Sequence, residues 1–385
     1  MQPREMGPVG TLGVTGLRRE RLFTAGAGGY ARYRIPALVV TARGTVLAFC
    51  EARRFTGRDA DEIDLLLRRS TDGGETFDLP RRILGQTGWV YGNPAPVTDR
   101  ETGTTWLLFC RNRQGEGERM ICRGEVERSV WVTGSDDDGL TWRDPVEITT
   151  DVKRADWGWY ATGPGHGIQL RSGRLLISCN HSPINRDPDQ ETPYFAHVIW
   201  SDDHGRTWSL GGSVDEGTNE STAVELDDGR VCLNARNSPW SLQPPADTEP
   251  GVDAAYVRAV AWSSDDGESF SAVHHDAALP EPICQGSLLG LAGSAGDAGR
   301  PVLFANPAGP GRAGLTVRRS DDGCESWPVA RTLHAGPAAY SDLCQLGEDL
   351  VACLYEAGTD GPYEGLDFAR FSLDWLAAVD PGTES

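Results

Sequence analysis

The sequence is poor in positive charge, in paired cysteines and in long apolar runs, and each shortage removes a class of function. Its 385 residues carry 36 Lys and Arg against 56 Asp and Glu, a formal net charge of −20. A phosphate backbone needs a basic face, so nucleic acid is excluded as a partner, and an anionic membrane surface is disfavoured for the same reason. No stretch reaches the roughly 18 apolar residues of a bilayer-crossing helix. The nine cysteines fall singly, with no Cys-x-x-Cys pair, and the seven histidines never take His-Glu-x-x-His spacing. No metal and no cofactor is therefore expected. Several cysteines sit inside apolar runs such as Leu47-Ala48-Phe49-Cys50 and Leu107-Leu108-Phe109-Cys110. They read as small hydrophobes in strands of a reducing compartment, with a disulfide framework as the alternative. Between Met1 and Gly16 there is no apolar core behind a basic start. A cytoplasmic protein is expected, or a secreted one whose leader has been removed. Long 3.6-residue periodicity is missing as well, which leaves little room for helices.

What is present is turns and a repeat. A template Ser-x-Asp-x-Gly-x-Thr-Trp recurs five times, as STDGGETF from Ser70, SDDDGLTW from Ser135, SDDHGRTW from Ser201, SSDDGESF from Ser263 and SDDGCESW from Ser320. Recurrence at this spacing marks a repeat fold in place of the two or three domains that length alone suggests. The template has the chemistry of a tight turn: Ser and Asp oxygens satisfy turn amides, Gly supplies positive φ, and the closing aromatic anchors the turn on its sheet. In the fifth copy Cys324 replaces that Gly, which predicts a distorted turn. A strand-like run precedes each copy, and further short apolar runs lie between copies, so each unit reads as about four antiparallel strands. Runs at Leu350–Tyr355 and Leu366–Phe371, with an N-terminal strand near Arg21–Thr24, complete a sixth unit from both chain ends. The expectation is an all-β, six-bladed propeller of four-stranded blades over residues 20–376, with an extension at 1–19 and a tail at 377–385. Because the template Asp residues recur in every unit, they are read as structural.

The repeats, with Tyr33-Arg34-Ile35-Pro36 ahead of them, resemble the sialidase (exo-α-neuraminidase) superfamily. Other stretches are similar to its bacterial and mammalian cytosolic members: Glu51-Ala52-Arg53, Gly92-Asn93-Pro94, Gly163-Pro164-Gly165-His166-Gly167, Asn219-Glu220-Ser221, Leu233-Asn234-Ala235-Arg236, Ala339-Tyr340-Ser341-Asp342-Leu343 and Leu354-Tyr355-Glu356. The resemblance implies a six-bladed propeller and retaining hydrolysis of terminal α-sialosides. It implies three arginines for the sialic acid carboxylate, at Arg34, Arg236 and Arg312, with Arg318 or Arg319 as alternatives to the last. Guanidinium groups suit that task because they stay charged and donate in a planar fork. Tyr340 matches the nucleophile and Glu220 its base, a neutral phenol being better suited than a carboxylate to approach an anomeric carbon that itself bears a carboxylate. Asp59 matches the acid/base, with Asp61 as second choice, and Glu356 matches the carboxylate that orients Arg34. Arg53 and Asn93 match secondary sugar contacts.

The resemblance leaves the glycerol and N-acyl contacts unassigned among Trp89, His181 and Tyr194. A polar, Pro-rich stretch from Asn237 to Asp253 is expected to overhang the pocket, with Trp240 touching the substrate or else packing on a neighbouring blade. Sialylated glycans, glycoproteins or gangliosides are the implied substrates, and a monomer is expected. The rival readings are an enzyme preferring deaminated sialic acid, one transferring sialate to a sugar, and a non-catalytic carbohydrate-binding propeller.

Overall fold

The computed structural model of the chain describes residues 16–187, 189–190, 192–238, 256–292, 300–309 and 311–378. The first 15 residues, most of the expected tail, and the loop bearing Trp240 lie outside the described residues.

The fold is all-β, with three short α-helices and one 3-10 turn among the described residues. Its strands form six antiparallel runs. The first comprises Arg32–Val40, Val46–Arg53, Ile63–Ser70 and Arg81–Leu84; the second comprises Trp89–Thr98, Thr105–Arg113, Ser129–Ser135 and Val146–Glu147. In the third, Trp157–Thr162 and Ile168–Gln169 share one partner, Leu175–Pro183, followed by Phe195–Ser201 and Ser209–Ser213. Thr218–Glu225, Val231–Asn237, Val257–Ser263 and His274–Pro280 make the fourth. Ser287–Gly290, Val302–Pro307, Ala313–Ser320 and the start of Val329–Gly347 make the fifth. The end of that long strand opens the sixth, which continues through Leu350–Ala357 and Gly365–Ser372 and ends on the N-terminal Leu17–Thr24. The strand expected near Arg21–Thr24 thus takes the place foreseen for it.

Hydrogen bonding does not keep these runs as six separate sheets. It joins them into four, of seven, five, four and eight strands. The cause is local: Val329–Gly347 runs unbroken from the fifth into the sixth, and a parallel bridge between Ile63 and Val90 ties the first to the second.

Inner strands are buried on both faces, as Val46–Arg53 is at every residue, whereas outer ones such as Val146–Glu147 are exposed. Apolar residues therefore pack between runs. Leu47 and Leu107 share a cluster between first and second, Leu108 and Ile177 between second and third, and Leu176 and Leu233 between third and fourth. Val224 and Phe304 do the same between fourth and fifth, and Leu303 and Val351 between fifth and sixth. Leu354 and Leu38 then join sixth to first.

The repeat template is a closed turn. Ser70 Oγ accepts the Gly74 amide at 2.8 Å, while Asp72 accepts the Thr76 amide at 3.0 Å and hydroxyl at 2.6 Å. The fifth copy corrects the expectation of distortion. Cys324 adopts φ 71°, close to the 78° of Gly74, and its amide still reaches Ser320 Oγ at 2.9 Å. A left-handed cysteine costs about 1 kcal/mol, and burial of its side chain beside Phe304 and Trp327 offsets that cost. All nine cysteines are buried free thiols.

Candidate active site

The first strands of every run but the fifth, with the segment just before Ala313–Ser320 from the fifth, converge on a cleft of about 250 Å³ lined by Arg34, Arg53, Asp59, Asn93, Glu220, Arg236, Arg312 and Tyr340, among others. Register breaks put several of these side chains there. The ladder slips between Arg34 and Ala37, between Gly92 and Ala95, between Thr218 and Ser221, and between Ala338 and Ser341. The bulged stretches hold Ile35 at φ 54°, Asn93 at φ 57°, Glu220 and Tyr340. A bulge turns a side chain out of the strand's alternation, which is how a strand buried on both faces presents a polar group at its end.

At the floor, the Tyr340 hydroxyl donates to Glu220 Oε1 at 2.5 Å. Arg236 Nη1 donates to Glu220 Oε2 at 2.8 Å and to the Tyr340 oxygen at 3.2 Å. Arg34 and Arg312 stand 5.2 and 5.4 Å from the Tyr340 ring centre. Burial and the Glu220 carboxylate push the Tyr340 phenol well above its ordinary pKa, against the pull of the three guanidinium groups. Burial works against the charge of Arg236, but Glu220 and Tyr340 outweigh it and hold its pKa high.

Glu356 is fully buried and orients two chain segments at once. Its carboxylate accepts from Arg34 Nε at 2.9 Å and from the amides of Ile35 and Tyr340 at 3.0 and 3.2 Å. Arg312 donates to the Tyr363 hydroxyl at 2.8 Å and to the Ile283 carbonyl at 2.9 Å. Its alternatives lie elsewhere: Arg318 bonds Asn306, and Arg319 pairs with Asp321.

Asp59 and Asp61 separate by function. Asp61 Oδ2 accepts from the amides of Phe55, Thr56 and Gly57 at 3.0, 2.6 and 3.0 Å, so it ties the loop. Asp59 is the one that loop presents, with its side chain 73% exposed, 2.6 Å from Arg53 and 3.8 Å from Arg34. Partial desolvation by the cleft walls works to raise its pKa, but Arg53 and then Arg34 outweigh that and hold the carboxyl below its ordinary range. Arg53 is itself fixed by Glu51 at 2.7 Å, and the other oxygen of Glu51 accepts the Asn93 amide at 2.8 Å.

All nine singled-out residues are therefore brought together, eight on the cleft and Glu356 behind it. Trp89 instead stacks on Arg111, and His181 stacks on Trp157 and contacts His197, away from the cleft. Tyr194 reaches it only through a hydrogen bond to Glu118. Sequence reasoning missed Glu118, Arg128, Trp159 and Asn180, which also line the cleft. Among the described residues no cluster of His, Cys, Asp and Glu has the makings of a metal site, and no helix is long and apolar enough to cross a membrane.

A family model described as a BNR repeat-like domain matches residues 44–353. A sialidase from Micromonospora viridifaciens is 36% identical over 379 residues, covering 93% of this chain and 54% of that protein. The chain thus spans about half the length of that relative. An exo-alpha-sialidase from Aspergillus fumigatus is 30% identical, with 90% of this chain and 86% of the relative covered. Among solved structures, the Hadza microbial sialidase Hz136 superposes with a TM-score of 0.80 at 27% identity, over 93% of this chain and 69% of that one.

Proposed function

The chain belongs to the sialidase superfamily, and on that footing we propose that it is an exo-α-sialidase, releasing terminal α-ketosidic sialic acid from glycoconjugates with retention of configuration. The observation that carries the reading is the 2.5 Å contact between the Tyr340 hydroxyl and Glu220, with Arg34, Arg236 and Arg312 around the phenol.

The substrate carboxylate is held by the three arginines, Arg312 being the one with no carboxylate partner of its own among the described residues. As the Tyr340 oxygen bonds to the anomeric carbon, its proton passes to Glu220, and Asp59 in its acid form protonates the departing oxygen. The bond between sugar and leaving group breaks, leaving an aryl sialoside in which the anomeric carbon is bound to the Tyr340 oxygen. Water then attacks the same carbon, Asp59 takes its proton, and the proton on Glu220 returns to the Tyr340 oxygen. Two inversions give net retention. Each guanidinium favours the negative charge that the phenol oxygen would otherwise develop alone in a buried site.

The catalytic domain is residues 20–376, with the six runs as blades of a propeller. That reading is supported by the packing of each run on the next and of the sixth on the first. A monomer acting on sialylated glycans, glycoproteins or gangliosides fits the open cleft. A fluorogenic α-sialoside tests the activity, and proton NMR of the first sugar released tests the mechanism. The α-anomer should appear first; initial β-anomer would sink the two-step scheme, and no release at all would sink the activity.

A further inference from the structure

The fourth and fifth runs meet at a junction built unlike its counterparts. In each of the first five runs, the Ser that opens the repeat template pairs with a residue of the second strand: Ser70 with Val46, Ser135 with Thr105, Ser201 with Leu175, Ser263 with Val231 and Ser320 with Val302. In the first three runs the residue after that partner is large, namely Leu47, Trp106 and Leu176, and the template turn of the next run presents a glycine to it. A Cβ at Gly139, Gly205 or Gly267 would meet that side chain at 3.1, 2.2 or 2.8 Å. In the fourth run the same register position is Cys232, and in the turn of the fifth run the matching glycine is replaced by Cys324. The two cysteines share one apolar cluster, and their thiols are hydrogen-bonded to each other. Other thiols face other groups: Cys122 contacts Ser182 and Tyr194, and Cys110 lies 3.8 Å from the Thr162 hydroxyl.

Packing alone does not call for this exchange. A large side chain against glycine fills the equivalent space three times in the same molecule, with no Cβ on the left-handed residue. Cys324 takes φ 71°, a conformation unfavourable for any residue with a Cβ. Both halves of the contact differ from their counterparts, and both have become the one side chain that can bond covalently to its own kind. Cys232 lies near the start of Val231–Asn237 and Arg236 near its end, so the pair stands apart from the cleft.

We propose that Cys232 and Cys324 are a redox pair that closes into a disulfide, stapling the fourth run to the fifth, when the protein meets a low-molecular-weight disulfide. The step is thiol–disulfide exchange. The Cys324 thiolate attacks one sulfur of the reagent, forming a mixed disulfide and displacing a thiolate. The Cys232 sulfur then attacks Cys324 and displaces the second thiolate. The two protein thiols are oxidised, the reagent disulfide is reduced to two thiols, and the protons of Cys232 and Cys324 end on them. Cys324 reacts first because it sits in a surface turn beside exposed Glu325. The Cys232 thiol keeps its proton longer, since the hydrogen bond with Cys324 and burial push its pKa well above the ordinary value. Closure is therefore slow, and it waits on local opening of the turn.

The test incubates the native full chain at pH 8 with glutathione disulfide, beside a sample kept reduced. Two of the nine thiols should disappear, and a protease map should show one bridge, joining the peptides of Cys232 and Cys324. The bridge closes a loop of about 90 residues, so the thermal midpoint should rise by about 5 °C and fall back on reduction. Replacing Cys232→Leu and Cys324→Gly together restores the arrangement of Leu176 and Gly267. That double variant should keep its remaining thiols under the oxidant and show no shift in midpoint; if it does not fold, the map of the wild-type chain decides. Nine thiols after oxidation, glutathione left on the protein in place of a bridge, a bridge between other cysteines, or a midpoint that does not rise overturns the proposal.

Discussion

Tyr340 and Asp59 face opposite problems of protonation. In the proposed mechanism Tyr340 loses a proton that its buried site holds tightly, and the proposed base, Glu220, is 2.5 Å away. Tyr340→Phe keeps the ring and its packing but removes the proposed nucleophile, so turnover should fall by about 10²-fold or more while sialic acid binding persists. Steady-state rates and calorimetry separate the two quantities. As the proposed acid, Asp59 has to carry a proton that Arg53 and Arg34 discourage. Because its pKa is lowered, the acid form grows as pH falls, so kcat/KM on a glycan with a poor leaving group should rise toward acid. An aryl sialoside, whose leaving group needs no proton, should lack that rise. Arg53→Met raises the Asp59 pKa and should move the acid-dependent limb to higher pH, as parallel pH profiles on the two substrates will record. Arg34, Glu220, Arg236, Tyr340 and Glu356 were legible in the sequence because each sits in a motif. Arg128 and Asn180 were not, since their place in the cleft is set by contacts between runs that leave no local pattern. Asp59 and Asp61 share one loop, and only their partners tell them apart.

At the scale of the element, the repeated turns and the bulges do different work. Each turn closes its own run and also packs on the run before it. A Cβ at Gly139 would meet Leu47 at 3.1 Å, one at Gly205 would meet Trp106 at 2.2 Å, and one at Gly74 would meet Phe368 of the sixth run at 2.8 Å. Gly205 also has φ 84°. Gly205→Ala should therefore destabilise the fold by about 2–4 kcal/mol through strain and overpacking together, read as a lower midpoint in urea with an unchanged slope. The turns were readable because the same residues recur. The bulges were only half readable: Pro36 and Pro94 interrupt two strands visibly, but nothing in Asn219-Glu220-Ser221 or Ala339-Tyr340-Ser341 signals a register slip. The merging of fifth and sixth runs was hidden too: Gly336 and Pro337, residue types that ordinarily weaken or end a strand, sit within the continuous strand Val329–Gly347.

For the molecule as a whole, the strand Leu17–Thr24 completes the sixth run and buries Leu22 and Phe23 against the first. Removing it should cost about 3–6 kcal/mol, at about 1.5–3 kcal/mol for each large apolar side chain returned to water. It would also leave Gly365–Ser372 as an open edge prone to pairing with other chains. Thermal unfolding and light scattering of a chain beginning after Thr24 would register both effects, and an unchanged midpoint would refute the assignment. Contacts between the first and sixth runs also set an order in time. Arg34 is held by Glu356, a partner 322 residues away. A ribosome releases the N-terminal part first, at about 5–20 residues per second, so Arg34 waits on the order of tens of seconds for the carboxylate that aims it. Until the sixth run emerges, Arg34 lacks the carboxylate that aims it, which makes synthesis of Leu350–Ala357 the step that completes the cleft.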